Sequence, residues 1–400
     1  MIRDGVTVVT ILIPTIMVSP PVAATTDRPS QSEPSCQTVF CLTDTRNDLR
    51  LEGNLRLQLD AAAYRDDGAA RLDGGTNVRR ARFSARAQLG DAWTAKFTYD
   101  VSKDGVSGIR DAFVSYTHPK GRLERLRIKA GHFKEPFGME RLTSVRDLAF
   151  MERSLASTLT PNRNMGIELH RHDRQWTATA GVFVPGTSDD NDNIRHSASA
   201  RATLAPDHSD GRILHFGAAI AYRSLDSSRS TRFSQQPESR VTDLKLVDTG
   251  AFAARDYVFY GLETAWAQGP WSLQADYIHA HINRPDSFAD VGFQGWHIDA
   301  GWILTGEAQP YNSTKGTFGR LRPAPGAPGI WQLGLRLSEL DLNDAGINGG
   351  RQRNASLGLT WYSNHYLTLS TEYVQVLNID GGAFDGARPS ALQARVQLIY

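Results

Sequence analysis

A sixteen-stranded antiparallel transmembrane β-barrel is the all-β fold class that this sequence predicts, and three observations predict it. Apolar and polar residues alternate with period two in segment after segment from residue 49 to the end. The connections between those segments are in turn short and long. The stretch that precedes them reads as an export signal. Composition permits this class and excludes others. Lys and Arg number 44 against 43 Asp and Glu, so no bulk charge marks a nucleic-acid partner. A mean hydropathy of −0.38 excludes a bundle of membrane helices but not a barrel, whose strands are apolar only at every second residue.

The chain begins with Arg3, an apolar run from Val6 to Met17 and a small-residue end at Ala23-Ala24. This is the plan of a secretory signal over residues 1–24, too short to span a bilayer as a helix. Residues 25–48 are rich in Ser, Thr, Pro and Asp and read as a flexible lead-in. That stretch holds the only two cysteines, Cys36 and Cys41. In an exported chain, with no His or third Cys nearby, the pair is expected to form a small structural disulfide loop rather than a metal site.

The barrel domain is expected over 49–400. Leu51, Leu55, Leu57 and Leu59 alternate with Glu52, Asn54, Arg56, Gln58 and Asp60. Such a pattern suits a strand, whose successive side chains point to opposite faces, and not a helix. Sixteen segments follow it: 50–64, 78–90, 92–102, 108–118, 126–133, 165–171, 175–184, 194–205, 212–223, 255–267, 271–281, 292–304, 329–339, 353–362, 365–376 and 391–400. An even count and short turns opposite long loops are the outer-membrane pattern. Trp93, Trp176, Trp266, Trp271, Trp302, Trp331 and Tyr400 share the apolar parity and lie near segment ends, as interfacial girdles do. A soluble β-sandwich or propeller also alternates, but needs neither these girdles nor so polar an inner face. A barrel of about sixteen strands encloses water, which the polar parity wets.

The polar face carries arginine. Of the 44 basic residues 37 are Arg, and Arg79, Arg80, Arg82 and Arg86 cluster with no acid among them. Lys96 faces this row from the next strand. The planar guanidinium fork binds two oxyanion oxygens at once, and a row of such groups can pass an anion stepwise. The third long loop, 134–164, is expected to fold inward as a constriction. It carries Lys134, Arg141, Arg146, Arg153 and Arg163 against Glu135, Glu140, Asp147 and Glu152, so it is not an acidic counter-loop. The competing reading is a general, weakly selective diffusion porin, in which wall arginines oppose loop acids.

The strings Gly131-His-Phe-Lys-Glu-Pro-Phe-Gly138, Leu142-Thr-Ser-Val-Arg-Asp-Leu-Ala-Phe-Met-Glu-Arg-Ser154, Pro161-Asn-Arg-Asn-Met-Gly166 and Val78-Arg-Arg-Ala-Arg-Phe83 resemble the phosphate-selective porins O and P of Gram-negative outer membranes. The resemblance runs from about residue 49 to Tyr400. It implies a homotrimeric outer-membrane channel through which phosphate or polyphosphate diffuses passively. Carried over by position, the constriction is formed by Arg79, Arg80, Ser144, Arg146 and Arg163. Basic residues at a periplasmic mouth fall on Lys315, Arg320 and Arg322, a reduced set because the chain has only seven Lys. The closing strand with terminal Tyr400 resembles the signal read by the barrel assembly machinery. No enzyme, cofactor or metal is expected. The pairs His170/His172 and His279/His281 each share a strand face but lack a carboxylate pair, and a barrel hydrolase is the least favoured reading.

Overall fold

The computed structural model describes residues 39–66, 68, 70–103, 105–121, 123–186, 193–208, 211–226 and 230–400. The predicted signal and Cys36 lie outside the described residues. Sixteen long strands follow the predicted order: β1 Leu49–Arg65, β2 Gly75–Leu89, β3 Trp93–Asp100, β4 Ile109–Thr117, β5 Leu126–Lys134, β6 Arg163–His172, β7 Trp176–Val184 and β8 Ile194–Asp207. Then come β9 Arg212–Leu225, β10 Asp256–Gln268, β11 Trp271–Asn283, β12 Val291–Ile303, β13 Ile330–Asp344, β14 Ile347–Tyr362, β15 Leu367–Asp380 and β16 Ser390–Ile399. Each pairs antiparallel with the next. The sheet closes where β16 pairs with β1, from Arg56 opposite Ile399 to Arg65 opposite Ser390. Closure satisfies the backbone groups that lipid cannot.

The parity read from the sequence becomes inside and outside. On β10, Tyr257, Phe259, Glu263, Ala265 and Ala267 are buried, while Tyr260, Leu262 and Trp266 are exposed. An exposed apolar face is stable only against lipid. At the end carrying the short turns, the outer aromatics pair across strands. Trp271 stacks on Trp302 at 4.7 Å between ring centroids, Trp331 on Trp361 at 5.6 Å, and Tyr366 on Tyr400 at 5.3 Å.

Two differences from the sequence reading have local causes. The β13–β14 hairpin is longer than expected because Ala345 and Gly346, at φ of 42° and 86°, make a tight two-residue turn. The lead-in also contains a strand, Phe40–Asp44, which pairs with Leu49–Gly53 of β1. Those residues extend past the end of β16 and would otherwise leave an open edge. A Cβ at Gly53 would overlap the Phe40 ring, so glycine is what admits this strand. Cys41, within it, is disulfide-bonded.

The inner face is largely polar toward the turn end, apart from a small cluster of Ile303, Leu321, Ile330 and Tyr362, and is apolar toward the loop end of β10 to β15. There Phe259, Ile278, Ile282, Phe293, Leu340 and Val376 form a core with Phe137, Leu155 and Leu159 of the third loop and Phe233 and Leu246 of the connection 226–255. Burial of apolar area from both sides holds these two connections against the wall.

Candidate anion pathway

The third loop, residues 135–162, is tied to the barrel wall by its glutamates. Glu135 accepts hydrogen bonds from Arg223 on β9 at 2.8 Å and from Asn164 at 2.6 Å. Glu140 accepts from Arg336 on β13 at 2.9 Å. Glu152 accepts from Arg79 at 2.8 and 3.0 Å, from Arg80 at 3.2 and 3.3 Å, and from Arg395 on β16 at 2.7 Å. Burial opposes ionisation of Glu152, but these three guanidiniums overcome it and hold its carboxyl well below the usual range. The wall reciprocates: Glu372 on β15 accepts from the Met151 N–H at 2.7 Å. From above, Glu238 of the connection 226–255 accepts from the Leu155 N–H at 2.8 Å.

A β-bulge decides which arginines meet Glu152. Leu59 pairs with Val78 but Gln58 pairs with Arg80, so Arg79 is an extra residue in β2. Strict alternation would turn Arg79 and Arg80 to opposite faces. The bulge brings both guanidiniums onto one carboxylate. The predicted Arg row is therefore broken into parts. Arg82 pairs with Asp100 on β3 at 2.7 Å. Arg86 is exposed at the turn end, in register with Glu52 and Lys96, and does not share the cavity of the others. The sequence cluster has no acid within it, but the fold supplies Glu152 and Asp100 from elsewhere.

Once the loop glutamates turn to the wall, its bases are left facing open space. A cavity of about 760 Å³ lies there, and among the described residues eighteen Lys or Arg line it against four Asp or Glu. Three of those acids are matched by cations. Asp111 takes Lys96 at 2.7 Å and Arg163 at 3.1 Å, Glu168 takes Lys129 at 2.6 Å, and Glu152 is clamped as described. Lys134 and Arg153 donate to the loop carbonyls of Arg141 and Thr143 and not to carboxylates. Burial, with Arg163 nearby, brings Arg153 down to about 10, where it stays charged near neutrality. Arg56 on β1 makes no hydrogen bond or ion pair among the described residues and stands near Arg82, Arg146 and Arg320. Among the described residues Arg146 makes an ion pair only with its neighbour Asp147, at 3.1 Å.

The connection 304–329 enters the lumen from the turn end. Its hairpin, Tyr311–Asn312 paired with Thr317–Phe318, is held by Arg201 on β8, which donates to the Lys315 and Gly316 carbonyls at 2.8 and 2.6 Å. His215 on β9 meets the Tyr311 hydroxyl at 2.7 Å. Lys315 thus lines the same cavity as Arg146. Burial, with Lys96, Arg146 and Arg127 nearby, pushes its ammonium below the ordinary Lys range.

Of the predicted residues, Arg79, Arg80, Arg82, Lys96, Ser144, Arg146, Arg163 and Lys315 line this cavity. Arg320 lies by the loop, 4.0 Å from Asp147, and burial and Arg146 bring it down to about 10. Arg322 is exposed and does not join them. Among the cavity-lining cations the sequence reading did not single out are Arg56, Arg110, Arg127, Lys129 and Arg201, and of these Arg56 has no ion-pair partner among the described residues. Its signal was available, since it shares the polar parity of Asn54 and Gln58.

The model of the family described as phosphate-selective porin O and P matches residues 51–400. Porin O of Pseudomonas aeruginosa is 25% identical over 377 residues, covering 83% of this chain and 84% of that protein. A Caulobacter vibrioides protein described as uncharacterized is 26% identical over 316 residues, covering 75% of this chain and 62% of that protein. The anion-selective porin from Comamonas acidovorans superposes with a TM-score of 0.58 at 12% identity, over 88% of this chain and all of that one. The outer-membrane-expressed OmpT of Vibrio cholerae gives 0.56 at 10% identity, over 90% of this chain and all of that one. At these identities the structures bear on fold alone. With a family match over nearly the whole barrel and a basic lumen, the chain belongs to the phosphate-selective porin O and P family and is an anion channel of the outer membrane.

Proposed function

We propose that this channel passes inorganic phosphate and related small oxyanions passively and prefers them to chloride. The observation that carries this reading is the cavity in which eighteen cationic side chains meet four acids. Such a lining raises local anion concentration and rejects cations. Phosphate gains more than chloride because the guanidinium forks of Arg56 and Arg146 and the Ser144 hydroxyl can hydrogen-bond its oxygens directionally. Lys315, without a carboxylate partner among the described residues, continues the path toward the turn end. The loop acids compete little, because Glu135 and Glu140 face the wall and Glu152, which lines the cavity, is clamped by Arg79, Arg80 and Arg395. That placement favours an anion path over a general diffusion porin, whose loop acids would face wall arginines across open water.

The working unit is a homotrimer in this reading. The short strands β3 to β7 form one low wall suited to contact between copies, and a trimer form is described for OmpT of Vibrio cholerae. Tyr400, stacked on Tyr366, serves as the terminal aromatic for the barrel assembly machinery, and residues 1–24 serve as the export signal. The deciding experiment is planar-bilayer recording in a KCl gradient, followed by addition of phosphate. The reversal potential is expected to report anion selectivity, and phosphate is expected to block the chloride current. A cation preference refutes the anion path, and an unblocked chloride current refutes phosphate recognition and leaves a general anion porin.

A further inference from the structure

Behind the third loop, away from the cationic cavity, the wall of β11–β13 carries a buried group of opposite character. None of its residues lines the cavity. His297 on β12 is 1% exposed and Asp276 on β11 is 4% exposed, and Glu140 descends onto them from the loop. The His297 Nδ1 is 3.1 Å from Asp299 Oδ1. A proton on Nδ1 donated to that carboxylate leaves the Nε2 lone pair free. Nε2 lies 3.6 Å from Asp276 Oδ2 and 3.9 Å from Glu140 Oε2, and has no hydrogen-bond partner among the described residues. Asp276 Oδ1 is also buried without a partner. Two buried polar atoms left unpaired are costly unless something else binds them.

We propose that Glu140, Asp276 and His297 hold a divalent metal ion of the zinc class, which fastens the third loop to the barrel wall. Bonds of about 2.0–2.2 Å in a tetrahedral site place donor atoms roughly 3.3–3.5 Å apart. The two gaps from His297 Nε2, 3.6 and 3.9 Å, are a few tenths wider, within reach of a small side-chain rotation. The outer partners are also those of a metal site. Asp299 orients the imidazole, in the carboxylate–histidine–metal arrangement. Arg336 and the Ser154 N–H, at 2.9 and 2.8 Å, hold Glu140 Oε1, and the Ser154 hydroxyl donates to Oε2 at 2.9 Å, whose remaining lone pair faces His297. Charge supports the same occupant. Three carboxylates against Arg336, with a neutral imidazole, leave two negative charges that one divalent cation cancels. The ligands come from a loop and two strands, so binding couples to loop docking. This role goes beyond conduction: the ion is a staple outside the anion path.

The test uses the full-length channel folded in detergent with one equivalent of Co2+ and then desalted. Elemental analysis is expected to find one cobalt per chain, with visible absorption bands of a tetrahedral ion. His297→Gln and the isosteric Asp276→Asn are expected to lose both metal and bands. Asp299→Asn is expected to weaken retention by about 10–100-fold. His279→Gln is expected to retain metal fully. Heat-modifiable electrophoretic mobility confirms a folded barrel for each variant. Absence of stoichiometric cobalt in the wild type, or equal retention in Asp276→Asn, overturns the proposal. The wild-type stoichiometry decides the question even if His297→Gln does not fold.

Discussion

Replacing Glu152 by Gln tests both the anchoring of the third loop and the origin of the lumen charge. The carboxylate accepts five N–H contacts of 2.7–3.3 Å from Arg79, Arg80 and Arg395. Asp60 also pairs with Arg395, at 2.7 Å. Three cations against two anions leave a local charge of about +1, which the substitution raises to about +2. A glutamine offers one acceptor oxygen and turns an NH2 group toward guanidiniums. Breaking one partner out of a buried ion pair costs about 3–5 kcal/mol. Arg79 is one-fifth exposed to lumen water, so the lower end, about 3 kcal/mol, is appropriate. That corresponds to a roughly 100-fold larger undocked fraction of the loop. The expected result in single-channel recording is open-state flicker absent from the wild type, with a reversal potential moved further toward anions. A quiet channel with unchanged or reduced anion selectivity would show that Glu152 neither pins the loop nor screens the arginines, and would refute the reasoning.

Three further outcomes are expected. Arg56→Glu should weaken phosphate block by about 10–100-fold, the worth of one or two charge-assisted hydrogen bonds, while Arg322→Glu at an exposed position should change it little; equal effects count against Arg56 as a binding group. Because burial and the neighbouring Lys96, Arg146 and Arg127 push the Lys315 ammonium below the ordinary Lys range, it sheds its charge at lower pH than an ordinary lysine. Anion conductance should therefore fall as pH rises, before an ordinary lysine would titrate, and Lys315→Gln should remove that phase from a pH series of reversal potentials. Gly53→Leu should collide with Phe40 and lower barrel stability by about 1–3 kcal/mol, seen as a lower midpoint in denaturant, with conductance unchanged.

Much of the barrel was legible in the sequence because a strand's side chains alternate without exception unless a bulge intervenes, and because lipid outside and water inside impose opposite demands on the two faces. All sixteen strands stand where the alternation put them, to within a few residues at most boundaries. The strand at Phe40–Asp44 escaped notice because five residues show little periodicity, and its existence depends on an edge that only closure defines. The site was legible by residue type and not by partner. Arg79 and Arg80 were identified, but their shared orientation comes from the bulge opposite Gln58 and Leu59, which alternation cannot reveal.

What the sequence by itself determined is the class of object: an exported, alternating chain whose outer face suits lipid and whose inner face suits water. Loop charge counts, five bases against four acids, left the third loop ambiguous. Tertiary structure resolved it by direction, sending Glu135, Glu140 and Glu152 to wall arginines and leaving Lys134, Arg146 and Arg153 to line the cavity. The physical reason is that a buried carboxylate must find a cation. The cations that could satisfy it lie as many as 243 residues away in sequence, as Arg395 does from Glu152. Only closure of the barrel brings such partners within hydrogen-bonding distance.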